Sequence, residues 1–159
     1  MTFFVDFAEI RDIQAIHAFQ IAHAQEVEGL TLDSARVRQG VEQVFEQPNL
    51  GFYLVARALG ECPGHDSSLV LGSLLVTREW SDWRAKMVWW IQSVYVRPEW
   101  RKKGVFAAMY AHVEDLAHKQ DVAGLRLYVE KNNLGAKKVY AKLGMSDTHY
   151  DMFEKFFSN

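Results

Sequence analysis

Arg101, Lys102, Lys103 and Gly104 place three formal positive charges and a position without a Cβ just ahead of an amphipathic segment that begins at Val105. Upstream, Val94-Tyr95-Val96 closes a hydrophobic run and Arg97-Pro98-Glu99 makes a turn. A strand, a bend and a helix start, in that order, form an anion site. The first-turn N–H groups of a helix have no intrahelical acceptor, the macrodipole adds partial positive charge, and glycine admits a ligand close to the backbone. Phosphate suits it. The competing reading is a basic surface turn capping an ordinary helix, because one glycine with flanking lysines is a weak signal by itself.

Other residue types offer further chemistry. Tyr140 carries a phenol that can donate a proton, yet its place in the stripe Ala136, Val139, Leu143 also suits a core aromatic. Asn133 suits a helix N-cap. Glu26 and Glu28 between two helical segments, and Glu79 and Asp82 near a hairpin, are the candidate bases; each is also an ordinary surface charge. The cluster Glu79-Trp80-Ser81-Asp82-Trp83-Arg84 combines tryptophan with carboxylate, a way to hold a cationic amine. A hairpin packed by its own aromatics, or a dimer contact, explains the same residues. His17 and His23 are six apart, as are His112 and His118, so neither pair has the i, i+4 alignment of helical metal ligands. No metal site is expected.

Composition bounds the answer. The 159 residues fit one domain, 1–159, with 49% apolar and 24% charged residues, near globular averages. A net charge of −2 gives no whole-molecule attraction to nucleic acid or to an anionic membrane, so any phosphate site must be local. The one cysteine, Cys62, sits in a turn-like Gly60-Glu61-Cys62-Pro63-Gly64 and reads as structural or incidental. With no internal disulfide available, no basic-then-apolar leader and no run near the roughly 18 apolar residues of a membrane span, a cytoplasmic location is expected.

The elements that must position these residues follow from hydrophobic period and punctuation. Thr2–Phe7 reads as a strand. Asp12 and Asp33 read as caps of two helices, the first carrying Ile13, Ile16 and Ile21, the second Val37, Val41, Val44 and Phe45. Gly51–Arg57 and Leu69–Thr77 read as strands around a loop, Gly60–Ser68. Met87–Val96 is apolar on both faces, with Val88, Trp90, Val94 and Val96 on one and Met87, Trp89, Ile91 and Tyr95 on the other, as in a covered central strand. A helix from Gly104 to Lys119, a strand Leu125–Val129, a helix from Asn133 stopped by Gly144, and a last strand in His149–Phe157 complete the chain. The fold class is mixed α/β with helices on both faces of the sheet.

Two stretches carry a family pattern. Arg101-Lys102-Lys103-Gly104-Val105-Phe106 resembles motif A of the GNAT superfamily of N-acetyltransferases, (Arg/Gln)-x-x-Gly-x-(Gly/Ala), with Phe106 where a small residue is usual. Asn133, Ala136, Tyr140 and Gly144-Met145 resemble motif B, about 30 residues on, and the element order is similar to that family's along nearly the whole chain. The resemblance implies a mostly antiparallel mixed sheet whose two central parallel strands splay apart. It implies acetyl-CoA as co-substrate, its pantetheine arm paired with main chain of Val94, Tyr95 and Val96. The diphosphate would rest on the amides of Lys102, Lys103, Gly104, Val105, Phe106 and Ala107 beside Arg101, with Asn133 also touching the cofactor. Tyr140 becomes the general acid toward the thiolate. On the acceptor side, Glu28, Trp80, Asp82 and Gln92 are the candidate contacts for a small-molecule primary amine. The central strand holds Trp89, Trp90, Gln92 and Ser93 where some members carry a basic glutamate. Two other functions compete, an acyl-CoA-binding sensor without turnover and a plain nucleotide-binding module; the five tryptophans are compatible with a homodimer.

Overall fold

The computed structural model describes residues 3–59, 69–148 and 150–157. They fall into two compact units, one running to Tyr128 and one from Val129 onward. The loop Gly60–Ser68, with Cys62, lies outside the described residues, as do Thr2 and His149.

In the first unit β1 (Phe3–Phe7), β2 (Phe52–Ala58), β3 (Val70–Ser81), β4 (Lys86–Val96) and β5 (Gly124–Arg126) form one sheet in the order β1-β2-β3-β4-β5. The first four strands run antiparallel to their neighbours, and β5 joins β4 in parallel. Helices α1 (Ile13–Glu28) and α2 (Ser34–Glu46) pack on one face. Their core joins Ile16, Phe19 and Val41 to Tyr53, Val55 and Tyr95 of the sheet. Helix α3 (Val105–Lys119) buries Val105, Met109, Val113 and Ala117 and packs against all five strands. The second unit contains α4 (Leu134–Lys142).

Caps explain most boundaries. Asp33 accepts from the Arg36 N–H at 3.1 Å, and Gly29 ends α1 in the left-handed region at φ +65°. Asp12 departs from expectation: it precedes α1 but makes no side-chain cap to it. Its carboxylate instead takes two hydrogen bonds from Arg57 at 2.6 and 2.5 Å, with both side chains about 5% exposed or less. A buried guanidinium is costly without a paired anion, and Asp12 is that anion.

Two further expectations are corrected. Among the described residues the last strand is absent: residues 150–157 carry no regular structure, and Phe153 and Phe156 are exposed. No described strand pairs with them, and an unpaired strand leaves its polar backbone to water. The second correction concerns β4. Between the pairs Leu75–Gln92 and Ser73–Tyr95, β3 contributes Leu74 where β4 contributes both Ser93 and Val94. That extra residue is a β-bulge, with Ser93 at φ +50°. Alternation therefore resets, and Tyr95 shares a face with Trp90 and Gln92, stacked on Phe19 of α1 at 4.9 Å, instead of lying with Trp89 and Ile91.

Candidate functional site

The flanking of β4 changes shortly before the bulge. On its β5 side, β4 is paired at Val88–Gly124, Trp89–Leu125 and Trp90–Arg126, with the Ala123 N–H on the Met87 carbonyl at 2.8 Å. Past Trp90 no described strand pairs with that side, while β3 continues along the other to Val96. The residues Ile91–Val96 thus form a half-open edge inside the sheet. Extended backbone with its own donors and acceptors at a strand's pitch could complete it.

From Val96 the chain turns through a short 3-10 segment, Pro98–Trp100, into the basic loop. Lys102 and Gly104 adopt left-handed conformations, φ +61° and +83°. Gly104 is the N-cap of α3 and has no side chain with which to cap the first turn. A Cβ there would meet nothing within 4 Å, so the glycine is required for its φ and not for packing. Such alternation of backbone conformation ahead of a helix N-terminus converges N–H groups on one point, an anion-binding concavity. The Phe106 ring lies beside Tyr110, one turn along the same helix, at 6.2 Å. Its bulk at the usual small position is therefore carried along α3. Lys103 stands over the Trp100 ring at 5.2 Å.

Arg101 is engaged within the protein. Its Nε donates to the Val96 carbonyl at 2.9 Å and its Nη2 to Glu26 Oε2 at 2.5 Å, and the guanidinium lies 5.4 Å over the Tyr95 ring. The Tyr95 hydroxyl donates to Glu26 Oε1 at 2.9 Å. Arg101 beside it holds the Glu26 carboxyl below the usual carboxylate range, and burial, with that same carboxylate, pushes the Tyr95 phenol up.

A second polar group spans β3, β4 and β5 where the strands part. Glu79 accepts from Trp90 Nε1 at 2.5 Å and from Arg126 Nη1 at 2.7 Å, and Tyr128 lies 6.3 Å from the Trp90 ring. Beside it, Gln92 donates to the Thr77 hydroxyl. Of the acceptor candidates on the sheet, only Gln92 joins this face. Strand register puts Trp80, paired with Met87, on the opposite face; Asp82 accepts from the Trp83 N–H in the hairpin turn at 2.9 Å; Glu28 ends α1. The Glu79–Arg126 pair was not legible beforehand, because the two residues are 47 apart in sequence and only the sheet unites them.

In the second unit, Asn133 Oδ1 accepts from the Ala136 N–H at 3.0 Å, the N-cap its position implied, and Tyr140 lies on the same short helix. Burial raises the Tyr140 phenol above the usual tyrosine range, so the hydroxyl stays protonated at neutral pH. Among the described residues, no group of three histidine, cysteine or acidic side chains could hold a metal ion, and no helix is long and apolar enough to cross a membrane.

A half-open parallel strand pair thus leads into a glycine-started helix, and comparison with known proteins gives the family. Residues 14–145 match the family model described as the acetyltransferase (GNAT) family, and the chain belongs to that family. Its structure is similar to that of a possible acetyltransferase from Clostridium difficile 630, at 32% identity and TM-score 0.87 over 100% of both chains. More distant structures share the fold. A ribosomal-protein-alanine N-acetyltransferase from Brucella melitensis biovar Abortus 2308 has 13% identity and TM-score 0.75, over 98% of this chain and 99% of its own. A predicted acetyltransferase from Clostridium acetobutylicum, solved with acetyl-CoA, has 14% identity and TM-score 0.74 over 96% of both. No match was found among curated proteins.

Proposed function

We propose that this protein is a cytoplasmic acetyl-CoA-dependent N-acetyltransferase that acts on a primary amine, carried by a small molecule. The observation that supports this most is the open side of β4 past Trp90, continuous with the basic loop and the start of α3. Acetyl-CoA has matching chemistry, two amides in its pantetheine arm and a diphosphate. Val94, Tyr95 and Val96 would hold the arm through main chain, and the amides of Lys102 to Ala107 would hold the diphosphate, with Lys102 and Lys103 adding charge. When bound, acetyl-CoA supplies an activated thioester. The Val94 or Tyr95 N–H polarises its carbonyl, since fixed donors aimed at developing charge are the largest common catalytic term. Tyr140 donates its phenolic proton to the departing sulfur; burial keeps the phenol protonated at neutral pH while making it a weaker acid.

Glu26 is a poor base on this account. Arg101 stabilises its ionised form, which lowers proton affinity. Gln92 and Ser93, through water, serve an amine that arrives partly deprotonated. One observation favours a second reading, an acyl-CoA-binding sensor without turnover: Glu26 and Glu79, the carboxylates bonded to Tyr95 and Trp90 of β4, are both taken up by arginines.

Calorimetric titration with acetyl-CoA, followed by release of free CoA across an amine panel, tests both readings. Binding with turnover supports the enzyme, binding without turnover supports the sensor, and no binding removes both. Tyr140→Phe is expected to keep acetyl-CoA affinity while turnover falls about 10²- to 10⁴-fold. Unchanged turnover would remove the acid role.

A further inference from the structure

The Glu26 carboxylate ties α1 to the two pieces of chain that the acetyl-CoA reading sets against the ligand. It stands in the last turn of α1, accepts the Tyr95 hydroxyl from β4, and accepts Arg101 from the loop before α3. A helix C-terminus is an unfavourable place for a carboxylate, because the negative end of the macrodipole lies there. The last turn of α1 has no basic residue of its own to offset this, so the cation comes from 75 residues away. Arg101 in turn is fixed from three directions, by Glu26, by the Val96 carbonyl and by the Tyr95 ring.

The residue after Arg101 gives this bracing a purpose. Lys102 is left-handed at φ +61°, a conformation unfavourable for a residue with a Cβ, which persists only where the surroundings impose it. The same bend sets the direction of the amides that follow. Lys102 and Lys103 make no ion pair among the described residues, whereas the Arg101 guanidinium points back toward α1.

Resting on the acetyl-CoA reading above, we propose that Glu26 is a positioning residue for the diphosphate site. Through Arg101 it holds the backbone of 101–104 in the bent path that presents the amides of Lys102 to Ala107. Arg101 serves the site by bracing the loop and not by touching phosphate.

The test is calorimetric titration of the full chain with acetyl-CoA at several salt concentrations, for wild type, Glu26→Gln, Arg101→Gln and the double variant. Each single change is expected to weaken binding about fivefold. The double variant is expected to be no weaker than the worse single, because both remove one interaction. The salt dependence of affinity should match wild type, since no direct charge contact with phosphate is lost. Unfolding midpoints taken alongside recognise any variant that has lost its fold, and Glu26→Asp, which keeps the charge but shortens the reach, should fall between wild type and Glu26→Gln. The proposal is overturned if Arg101→Gln weakens binding and flattens the salt dependence while Glu26→Gln binds as tightly as wild type. Failure of the wild type itself to bind acetyl-CoA is a different result, which removes the acetyl-CoA reading and this proposal together.

Discussion

Lys86–Trp90 and Ile91–Val96 belong to one continuous strand and are similar in apolar content, yet the sheet treats them differently. The first segment is bonded to β3 on one side and reaches β5 on the other, with Trp89 1% exposed and its ring set edge-on to Phe52 at 5.4 Å. The second keeps only β3. The second also contains a bulge, past the last β5 pair, that carries Ser93 at φ +50° and brings Tyr95 to the α1 face. A bulge bends its strand and sharpens the twist, and the three-residue β5 ends before β4 reaches it. The closed half is scaffold. The open half, braced by Tyr95, Glu26 and Arg101, is where a ligand could complete the sheet.

Substitutions in the two halves should therefore fail in different ways. The largest effect is expected in the closed half, where Trp89→Ala should lower stability by about 3–5 kcal/mol in denaturant titration. Any loss of acetyl-CoA binding there should track unfolding. A cost under about 1 kcal/mol would mean the closed half is not the rigid part.

At the bulge, within the open half, the expected effects are smaller and opposite in sign. Ser93→Gly should leave the chain unchanged or up to about 1 kcal/mol more stable, because glycine accepts positive φ. Ser93→Val should cost about 1–2 kcal/mol, since a β-branched residue is worst placed there. Equal stability for the two variants would argue that Ser93 is not left-handed in solution.

The smallest effect is a pH dependence at the open half. Arg101 and then Tyr95 lower the folded-state pKa of Glu26 against burial. The pair's contribution is therefore fully present above the unfolded glutamate value, about 4.3, and is lost as pH falls through the lower folded value. Unfolding midpoints of wild type and Glu26→Gln should differ at pH 6 and converge as the pH drops below about 4. A difference that persists or grows in acid would contradict the assignment.

Much of this was legible in the sequence, for reasons that differ by residue. Asp33 and Asn133 cap as expected, and Gly104 and Gly144 adopt the positive φ that their places at helix ends require, because such signals are local. Strand existence followed from apolar runs, although β3 continues to Ser81, past the expected end at Thr77, since β4 is there to pair with it. The bulge was not legible: Gln92-Ser93-Val94 contains no glycine or proline, and strict alternation put Tyr95 on the wrong face. Nor were Asp12–Arg57, Glu26–Arg101 and Glu79–Arg126, because each pair joins distant segments that only the fold brings together. The residues that read as chemistry, 94–96 and 101–107, occupy the open half and the helix start that follows it. The carboxylates that brace or flank them had to be seen in place.

Hydrogen exchange of the backbone amides with and without acetyl-CoA tests the difference between the two halves most directly. Added acetyl-CoA should slow exchange between Ile91 and Val96 and between Lys102 and Ala107, and leave Met87–Trp90 as slow as before. Uniform slowing along all of β4, or no change past Trp90, would contradict the account.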